Sequence, residues 1–554
     1  MNTNKKIGKK IDKKTAKLYL NFFEDNLRLA PSANDYLNYS KMNYLNKYYE
    51  NFLSPIYQQK TKKLYQKYDK LLRQKNKGKD ENEISIFDKV LKYEINITLE
   101  GLKLPLKYMP IDQMNNIITQ YMETASGGGL IVFEKMADYK NFMFKTKQFS
   151  ILCKQIIINM RIGIKKKYIL PRVIVEFTID MIEKAIKDKS WENKTVPESM
   201  RKKWDDVMDK YLVKPTTDVL FFLKHTYLPK STEKIGYSSL PNGRKLYEYL
   251  VKYYTTLDDM SIAEIHKIGK SEVKRVNKAM DETRKKYGFK GNLKEFNDYL
   301  KTDPKVHFTT EKELMDTYYN MKEHIWTKIV PKLFNIKPTY NYSIKKVPAF
   351  MEESAPAAYY WAGDLENKRK GTFYINLRDI KSMARMDVEV LSLHEGNPGH
   401  HFQQTIQMES KKIPLFVKSA NYDSYVEGWG LYSENLGEYK DALSYYGKLN
   451  FEMMRSVRLV VDTGIHYYGW TFQKCKDYFL KYTSLPVSEI DAEIYRYIAD
   501  PGQALGYKIG ELTILKLRKK YLADPKHNIK DFHQIVLENG NIPLKILKDT
   551  FSMK

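Results

Sequence analysis

The sequence predicts a mainly α-helical protein that carries one small β-sheet. Apolar residues recur at spacings of three and four in YDKLLRQK and FDKVLKYEINI, which is the period of amphipathic helices. A second helical block runs from Leu257 through Tyr299, and helical patterning returns from Asp387 onward. Between Lys337 and Leu377 the segments YNYSIKKVPAF, AAYYWAG and GTFYINL are short, aromatic and β-prone, with turn residues between them. We therefore expect a small sheet among helices.

The segment GTFYINL alternates in the way that predicts an edge strand. An edge strand beside a helix that carries catalytic residues offers unpaired backbone groups to an extended peptide. On this interpretation Phe373 and Tyr374 contact a substrate. An ordinary sheet edge without a ligand is the alternative.

The chain is predicted to have three parts that follow one another without a long linker. Residues 1–18 form a lysine-rich tail that we expect to be mobile, 19–336 a helical N-terminal lobe, and 337–554 a lobe with the sheet and further helices. No Pro/Gly/Ser-rich stretch is long enough to separate the lobes, so we expect them to form one continuous unit.

The composition favours a soluble, intracellular protein located in the cytoplasm. No stretch of the 554 residues approaches the roughly 18 consecutive apolar residues of a membrane helix. The basic N-terminus lacks the apolar run of a secretory signal, so we expect no membrane partner. Cys153 and Cys475 lie far apart, which argues against a disulfide framework.

The formal net charge of +27 makes nucleic acid a possible partner, because a basic surface attracts polyanions through counterion release. The lysines are spread through almost every predicted helix, in a chain also rich in Asn, Tyr and Ile. This pattern favours a compositional bias over a nucleic-acid surface. Nothing in the sequence indicates the oligomeric state.

Three of the ten histidines fall within LHEGNPGHHFQQ, at positions 394, 400 and 401. A His-Glu pair on a helix opens the zincin arrangement, in which the histidine binds zinc and the adjacent glutamate polarises the water at the metal. We therefore predict His394 as a metal ligand and Glu395 as the general base.

The segment departs from the usual HExxH spacing because Pro398 occupies the position of the second histidine. Six residues of ideal helix advance about 600°, which leaves His400 about 240° from His394, whereas His401 regains the face about 10 Å further along the axis. The insert 397–399 can open a widened turn that returns the next residue toward the first ligand. His400 is the favoured second ligand and His401 the alternative.

A third protein ligand is expected, because catalytic zinc normally keeps three side chains and one open position. Glu427, in YVEGWGLYSENLGEY, follows His400 by 27 residues on a second predicted helix. Glu434, two turns later on nearly the same face, is the alternative. The sequence thus predicts one Zn²⁺ ion held by His394, His400 and Glu427.

A third helical segment, RSVRLVVDTGIHYYGW, sets Arg458, Asp462 and His466 on one helix face at successive spacings of four. In a catalytic interpretation His466 donates a hydrogen bond to the substrate carbonyl or oxyanion and Asp462 orients it. In a structural interpretation the three residues form a buried tie between helices.

The segment EIYRYIADPGQALGYKIGEL gathers polar residues around a Pro-Gly break: Arg496, Tyr497, Gln503, Tyr507 and Lys508. A tyrosine hydroxyl near a metal can donate to a developing oxyanion, which makes Tyr497 and Tyr507 candidate catalytic residues. Arg496, Gln503 and Lys508 are candidates for binding a substrate, since Arg or Lys can hold a carboxylate. Packing is the alternative role for each tyrosine.

The motifs HEGNPGHHFQ, VEGWGLYSENL, RLVVDTGIHYYGW and RYIADPGQALGYKIGEL together resemble the family catalogued as domain of unknown function 885. The resemblance implies a zincin-like, multi-helix metallopeptidase fold with a deep channel and the small sheet next to the active-site helix. The implied fold is similar to that of the angiotensin-converting-enzyme and oligopeptidase group. By the same resemblance His394 and His400 match the paired histidines, Glu395 the catalytic glutamate and Glu427 the glutamate of the EGW motif.

These inferences predict a zinc-dependent hydrolase that cleaves peptide bonds, with Glu395 as general base for a metal-activated water. A narrow channel and basic groups such as Arg496 favour short peptides and carboxypeptidase-like or dipeptidase-like action. A basic, non-catalytic protein that associates with nucleic acid and keeps a vestigial or structural metal site is the alternative. Hydrolysis of a non-peptide amide or ester at the same site is a third possibility.

Overall fold

The computed structural model describes residues 11–129, 131–348, 352, 357–364 and 369–552. The fold is mainly helical, with 68% helix and a small three-stranded sheet, which confirms the predicted class. Contacts divide the chain into two compact units, Met1–Leu246 with Ile498–Asp500, and Tyr247–Tyr497 with Pro501–Lys554. The lobes predicted from the sequence use a different boundary, at residues 336 and 337, and they stay a prediction.

The first unit consists of helices joined by short turns. Its α-helices are α1 (Lys13–Leu29), α2 (Ala33–Leu37), α3 (Pro55–Lys75), α4 (Ile86–Gly101), α5 (Ile117–Ser126), α6 (Met136–Lys166), α7 (Arg172–Lys187), α8 (Glu198–Met208) and α9 (Lys214–Phe222). The carboxylate of Asp12 caps α1 by accepting a hydrogen bond from the backbone N–H of Thr15 at 2.9 Å. Residues 13–18 of the predicted tail are therefore helical.

Helix α10 (Gly243–Thr255) leads into the second unit, which contains the sheet and the remaining helices. These are α11 (Ile262–Tyr287), α12 (Leu293–Thr302), α13 (Glu311–His324), α14 (Val330–Leu333), α15 (Val388–Leu391), α16 (His400–Glu409), α17 (Leu415–Lys418), α18 (Asp423–Glu434), α19 (Ala442–His466), α20 (Phe472–Tyr482), α21 (Val487–Ala499), α22 (Leu505–Tyr521), α23 (Ile529–Leu537) and α24 (Leu544–Ser552). Among the described residues, none of the helices is long and apolar enough to cross a membrane.

Two long helices, α11 and α19, form the core of the second unit. A capping box starts α11: Ser261 accepts a hydrogen bond from the backbone N–H of Glu264 at 3.2 Å, and the Glu264 carboxylate accepts one from the backbone N–H of Ser261 at 2.7 Å. A Cβ on Gly269 would lie 2.7 Å from the Cβ of Leu459 and 2.8 Å from Cγ2 of Val460. The glycine thus lets the two helices approach closely.

The sheet has the strand order β1-β3-β2, where β1 is Ser343–Lys346, β2 is Ala358–Trp361 and β3 is Thr372–Ile375. β3 pairs with β1 in parallel and with β2 antiparallel. The prediction that GTFYINL is an edge strand is therefore wrong, because β3 has a neighbour on both sides. Its side chains Phe373 and Ile375 are fully buried in a core with residues of α13 and α15.

Helices α18 and α22 pack through two glycines that leave no room for side chains. A Cβ on Gly428 would lie 2.5 Å from the Cα of Gly510, and a Cβ on Gly510 would lie 2.0 Å from the carbonyl oxygen of Ser424. Atoms that are not bonded to each other cannot approach so closely, so any larger residue must push the helices apart.

We expect the substitution Gly510→Ala to destabilise the protein by about 1–3 kcal/mol, because an added methyl group overpacks this contact. Thermal unfolding followed by circular dichroism measures the effect as a lower Tm. Gly506→Ala, one turn earlier on α22, is the matched control: its Cβ would lie 3.3 Å from the nearest atom, the backbone nitrogen of Ser424. Equal Tm values for the two variants would contradict the packing argument.

Candidate metal centre

The chain reverses tightly between α15 and α16. A π-helical turn, Ser392–Gly396, carries His394 and Glu395, and α16 then begins at His400. A Cβ on Gly399 would lie 1.9 Å from the carbonyl oxygen of His394, so only glycine allows the chain to fold back this far. The helix break that the sequence predicts from the insert is therefore present.

The reversal brings His394 and His400 to Glu427 on α18. One ligand atom from each of the three side chains lies within 4.8 Å of the other two. The Nε2 atoms of His394 and His400 are 3.5 and 3.6 Å from Oε2 of Glu427. Zinc bonds of about 2 Å in a tetrahedron place ligand atoms about 3.3 Å apart. The donor types and the two distances to Glu427 thus suit one zinc ion, which His394, His400 and Glu427 would hold.

Electrostatics favour the ionised carboxylate of Glu427. Burial raises the pKa of this carboxyl, but the attraction of His400 and His394 outweighs burial and holds the pKa well below its usual range. Burial lowers the pKa of His394, yet the hydrogen bonds with Glu427 and Glu434 raise it to about 10. The cluster therefore pairs an anionic oxygen ligand with two imidazoles that are drawn to it.

Glu434, the alternative third ligand, lies on the other side of the His394 ring. Its Oε1 is 2.8 Å from Nδ1 of His394. A carboxylate in this position accepts a hydrogen bond from the Nδ1–H group, so Nε2 is the ring nitrogen that faces Glu427. Tyr439 supports Glu434 in turn, because its hydroxyl donates a hydrogen bond to the Glu434 carbonyl oxygen at 2.6 Å.

His401, the alternative second ligand, points away from the cluster. Its Nδ1 is 3.1 Å from the hydroxyl of Tyr360 and 3.2 Å from that of Thr405, and its Nε2 is 3.1 Å from the carbonyl oxygen of Tyr340. Burial lowers the pKa of His401 to about 4. The structure thus brings His400 to the site and keeps His401 as a neutral, hydrogen-bonded residue of the core.

Successive residues of the EGWG segment on α18 each support the candidate metal centre. After Glu427, Gly428 allows the close contact with α22 described above. The indole Nε1 of Trp429 donates a hydrogen bond to the carbonyl oxygen of Pro398 at 2.7 Å, which fixes the chain reversal. A Cβ on Gly430 would lie 2.7 Å from Cε1 of His394, so this glycine makes room for the imidazole.

Strand β2 holds Glu395, a contact that the sequence did not indicate. The backbone N–H of Tyr360 donates a hydrogen bond to Oε2 of Glu395 at 2.9 Å. β2 pairs with β3 on one side, and the backbone N–H of Asn376 bonds the Ala357 carbonyl there at 2.9 Å. The N–H of Tyr360 faces the opposite way, as alternate residues of an antiparallel strand do. The AAYYWAG pattern predicted a strand, but it did not predict that this strand contacts Glu395.

Three of the predicted substrate and catalytic residues lie together near Glu427. Nη2 of Arg496 donates to Oε1 of Gln503 at 2.6 Å and to the hydroxyl of Tyr507 at 3.3 Å. Burial and the negative charge of Glu427 raise the pKa of Tyr507, which places that hydroxyl within the field of the cluster. Gln503 is tied to α18 through a 3.2 Å hydrogen bond from its Nε2 to Asp423.

Tyr497 and His466 are fully buried. The Tyr497 hydroxyl donates to Glu493 and accepts from Nε of Arg458 at 2.9 Å, while Nε2 of His466 is 2.8 Å from the Tyr497 carbonyl oxygen. Burial lowers the pKa of His466 to about 4. This is the geometry that the structural interpretation describes, and the catalytic roles of both residues stay predictions.

Asp462 contributes to the same buried tie. Its carboxylate accepts hydrogen bonds from the hydroxyl of Tyr247 and from the backbone N–H of Gly502, the latter at 3.1 and 3.2 Å to the two oxygens. The Tyr247 ring lies 5.2 Å from the His466 ring, centroid to centroid. The Pro-Gly break thus packs onto α19 rather than lining open space at this point.

Lys508 is fully buried among carboxylates. Its Nζ lies 2.7 Å from Glu511, 2.8 Å from Glu452 and 3.2 Å from Glu272. Together these carboxylates outweigh the cost of burial and raise the pKa of Lys508. The structure therefore gives this ammonium three internal partners and no exposed surface with which to meet a substrate.

The two aromatic residues predicted to contact substrate lie on opposite faces of the sheet. The Phe373 ring is fully buried and packs edge-on against Tyr318 and Tyr342, at 5.7 and 6.0 Å between centroids. Tyr374 is partly exposed and stacks on Tyr359 at 5.2 Å. Of the two, only Tyr374 offers surface to a ligand.

Comparisons with known proteins agree with the fold. The sequence profile of a family described as "Bacterial protein of unknown function (DUF885)" matches residues 31–550. A "putative lipoprotein" from Colwellia psychrerythraea is 24% identical, with a TM-score of 0.82 over 97% of this chain and 98% of that one. A "putative lipoprotein of unknown function" from Shewanella oneidensis is 15% identical, with a TM-score of 0.74 over 96% and 98%. No curated protein matches the chain.

We expect Glu434→Gln to weaken zinc binding about 10- to 100-fold, because the neutral amide no longer fixes the Nδ1 proton and the orientation of His394. Competition with a chromogenic zinc chelator measures the affinity. Glu438→Gln is the matched control, since this carboxylate pairs with His324 and Lys332 at the surface. A zinc affinity of Glu434→Gln equal to that of the control would contradict the supporting role of Glu434.

Proposed function

The chain belongs to the DUF885 family of bacterial proteins, and we propose that it is a zinc-dependent hydrolase that cleaves peptide bonds. The observation that carries the proposal is the cluster of His394, His400 and Glu427, with Glu395 as the residue that follows the first ligand in the chain. Zinc bound by these side chains supplies a Lewis acid that polarises a carbonyl group and lowers the pKa of water.

Glu395 acts as the general base in this proposal. It is only partly buried, so its carboxylate can meet a water molecule. The hydrogen bond from the Tyr360 backbone N–H orients one of its two oxygens and leaves the other for proton transfer. Glu395 takes the proton of the attacking water and passes it to the leaving amine, so that no covalent intermediate is required.

Strand β2 provides the surface for an extended peptide. The edge of β2 that faces away from β3 lies next to Glu395, to which the Tyr360 N–H donates, so a peptide bound along this edge brings a scissile bond to the general base. The interpretation of the sequence placed this role on GTFYINL. We assign it to β2 instead, because β3 has a neighbour on both sides and β2 contacts Glu395.

The finer fold assignment is also part of the proposal. Two histidines and a glutamate general base on one broken helix, with a third ligand from a following helix and a strand beside them, support a zincin-like fold with a substrate channel. The similarity to the angiotensin-converting-enzyme and oligopeptidase group rests on the same arrangement. We propose short peptides as substrates and an intracellular site of action.

Arg496 is the residue that we expect to bind a free C-terminal carboxylate. It keeps 23% of its side chain exposed, with Nη1 3.5 Å from Glu493, whereas the neighbouring Arg458 keeps 4% and lies 3.1 Å from the same carboxylate. Gln503 and Tyr507 hold the guanidinium, and Tyr507 also reaches the field of Glu427. This position supports carboxypeptidase-like or dipeptidase-like cleavage, with Tyr507 as donor to the oxyanion.

We expect Glu395→Gln to keep its zinc and to lose hydrolysis of a responsive peptide by about 10²- to 10⁴-fold, because the amide cannot accept a proton. Mass spectrometry of a digested peptide mixture measures the turnover, and elemental analysis measures the zinc. Glu409→Gln, at the end of α16 where the carboxylate binds the exposed Thr339, is the control. Unchanged turnover by zinc-loaded Glu395→Gln would disprove the assignment.

We expect Arg496→Gln to slow cleavage of peptides with a free C-terminus about 10- to 100-fold, since a hydrogen bond to a charged group contributes about 1.5–3 kcal/mol. Peptides with an amidated C-terminus should be poor substrates of the wild type. The substitution Arg496→Gln should slow their cleavage little further. Comparing kcat/KM for both peptides with both proteins isolates the carboxylate interaction. Equal losses for the two peptides would show that Arg496 has only a structural role.

A further inference from the structure

The outer face of α6 carries an ordered array of exposed apolar and basic residues. The apolar residues Phe144, Ile151 and Ile158 are 48%, 55% and 49% exposed. Four exposed basic residues lie beside them on the same face: Lys140, Lys147, Lys154 and Arg161. Each set repeats every seven residues, so an α-helix of 31 residues aligns both along its axis.

The two sets form parallel ridges, which we call the α6 face. From the helical rise, the apolar ridge is about 21 Å long and the basic ridge about 31 Å long. None of the seven exposed positions is acidic. The arrangement is therefore a flat amphipathic strip on the surface, with basic groups along one side of an apolar ridge.

Two tyrosines flank the α6 face. The Tyr48 ring packs edge-on against Phe144 at 6.0 Å between centroids, and Nζ of Lys147 lies 5.7 Å from the centre of the Tyr211 ring. Both tyrosines are partly exposed. Tyrosine and lysine beside apolar residues are typical of surfaces that lie at the level of lipid headgroups.

The positive charge of the α6 face indicates which kind of binding partner could cover it. A second copy of the face would bring basic ridges together, which repels, and nucleic acid gains nothing from three large apolar side chains. Most of the excess charge lies in the first part of the chain: residues 1–246 contain 47 Lys and Arg against 27 Asp and Glu, a net +20 of the chain's +27. An anionic surface with an apolar interior fits both ridges.

We propose that the α6 face binds the surface of an anionic lipid bilayer, with its apolar ridge inserted at the headgroup level and its basic ridge on the lipid phosphates. This is peripheral attachment, which requires no membrane-spanning helix. It differs from the expectation of no membrane partner, which rested on the absence of an apolar run. The proposal does not depend on the metal centre.

Flotation of the full-length protein with vesicles tests the proposal. We expect binding to vesicles of phosphatidylcholine and phosphatidylglycerol in equal parts, and little binding to phosphatidylcholine alone. The triple variant Phe144→Gln, Ile151→Gln, Ile158→Gln should bind at least tenfold more weakly, because it removes the apolar ridge. The control variant Leu71→Gln, Met181→Gln, Leu480→Gln changes three exposed apolar residues elsewhere and should bind as the wild type does.

Charge variants complete the test. Each of Lys147→Gln and Lys154→Gln should weaken vesicle binding about fivefold, since a basic residue near an anionic surface contributes about 1 kcal/mol. All variants should remain folded, because the changed side chains lie at the surface, and only a small loss of Tm is expected from replacing Phe144, which packs on Tyr48. Equal binding of the ridge variant and the control, or equal binding to neutral vesicles, would overturn the proposal. The proposal would also be overturned if the protein bound duplex DNA but not vesicles, and if only the lysine variants lost that DNA binding.

Discussion

The close approach of Gly399 to the carbonyl oxygen of His394 is the constraint on which the metal centre depends. On a continuous helix His400 would lie on a different face from His394. Because the chain folds back at Gly399, the two imidazoles meet at 4.7 Å between ring centroids, almost perpendicular to each other. A side chain at position 399 would prevent this reversal, and with it the assembly of the three ligand atoms.

The surroundings of the reversal maintain it from several directions. Trp429 binds the Pro398 carbonyl oxygen, and Gly430 gives the His394 ring its space on α18. Glu434 holds the far side of the same ring. Since α18 also supplies Glu427, one helix both fixes the turn and completes the ligand set. The contact between Gly428 and Gly510 then links that helix to α22, which carries Tyr507.

The sequence predicted the helical class well and identified three side chains that the structure brings together, whereas their role as metal ligands stays a prediction. Apolar spacing identifies helices, and the sequence LHEGNPGHH contains the two histidines and the break that reorients them, while Glu427 lies 27 residues after His400. The choice between His400 and His401 needed coordinates, since it depends on how far the turn reverses the chain. Strand order also escaped prediction: β3 pairs with strands from two earlier segments, and no local pattern reports such neighbours.

Helical spacing likewise could not distinguish residues that line a cavity from residues that are buried in the core. Arg458, Asp462 and His466 share a helix face as predicted, but the face is buried against Tyr497 and Tyr247. Lys508 resembles a substrate-binding residue in sequence, yet it neutralises carboxylates on three helices, α11, α19 and α22. Whether a polar residue serves a ligand or an internal partner depends on distant charges, which a local motif does not contain.

Anomalous diffraction at the zinc absorption edge, from crystals of the zinc-loaded protein, tests the central claim most directly. We predict one strong peak about 2 Å from Nε2 of His394, Nε2 of His400 and Oε2 of Glu427. A peak beside His401 instead, or no peak between these three side chains, would contradict the account.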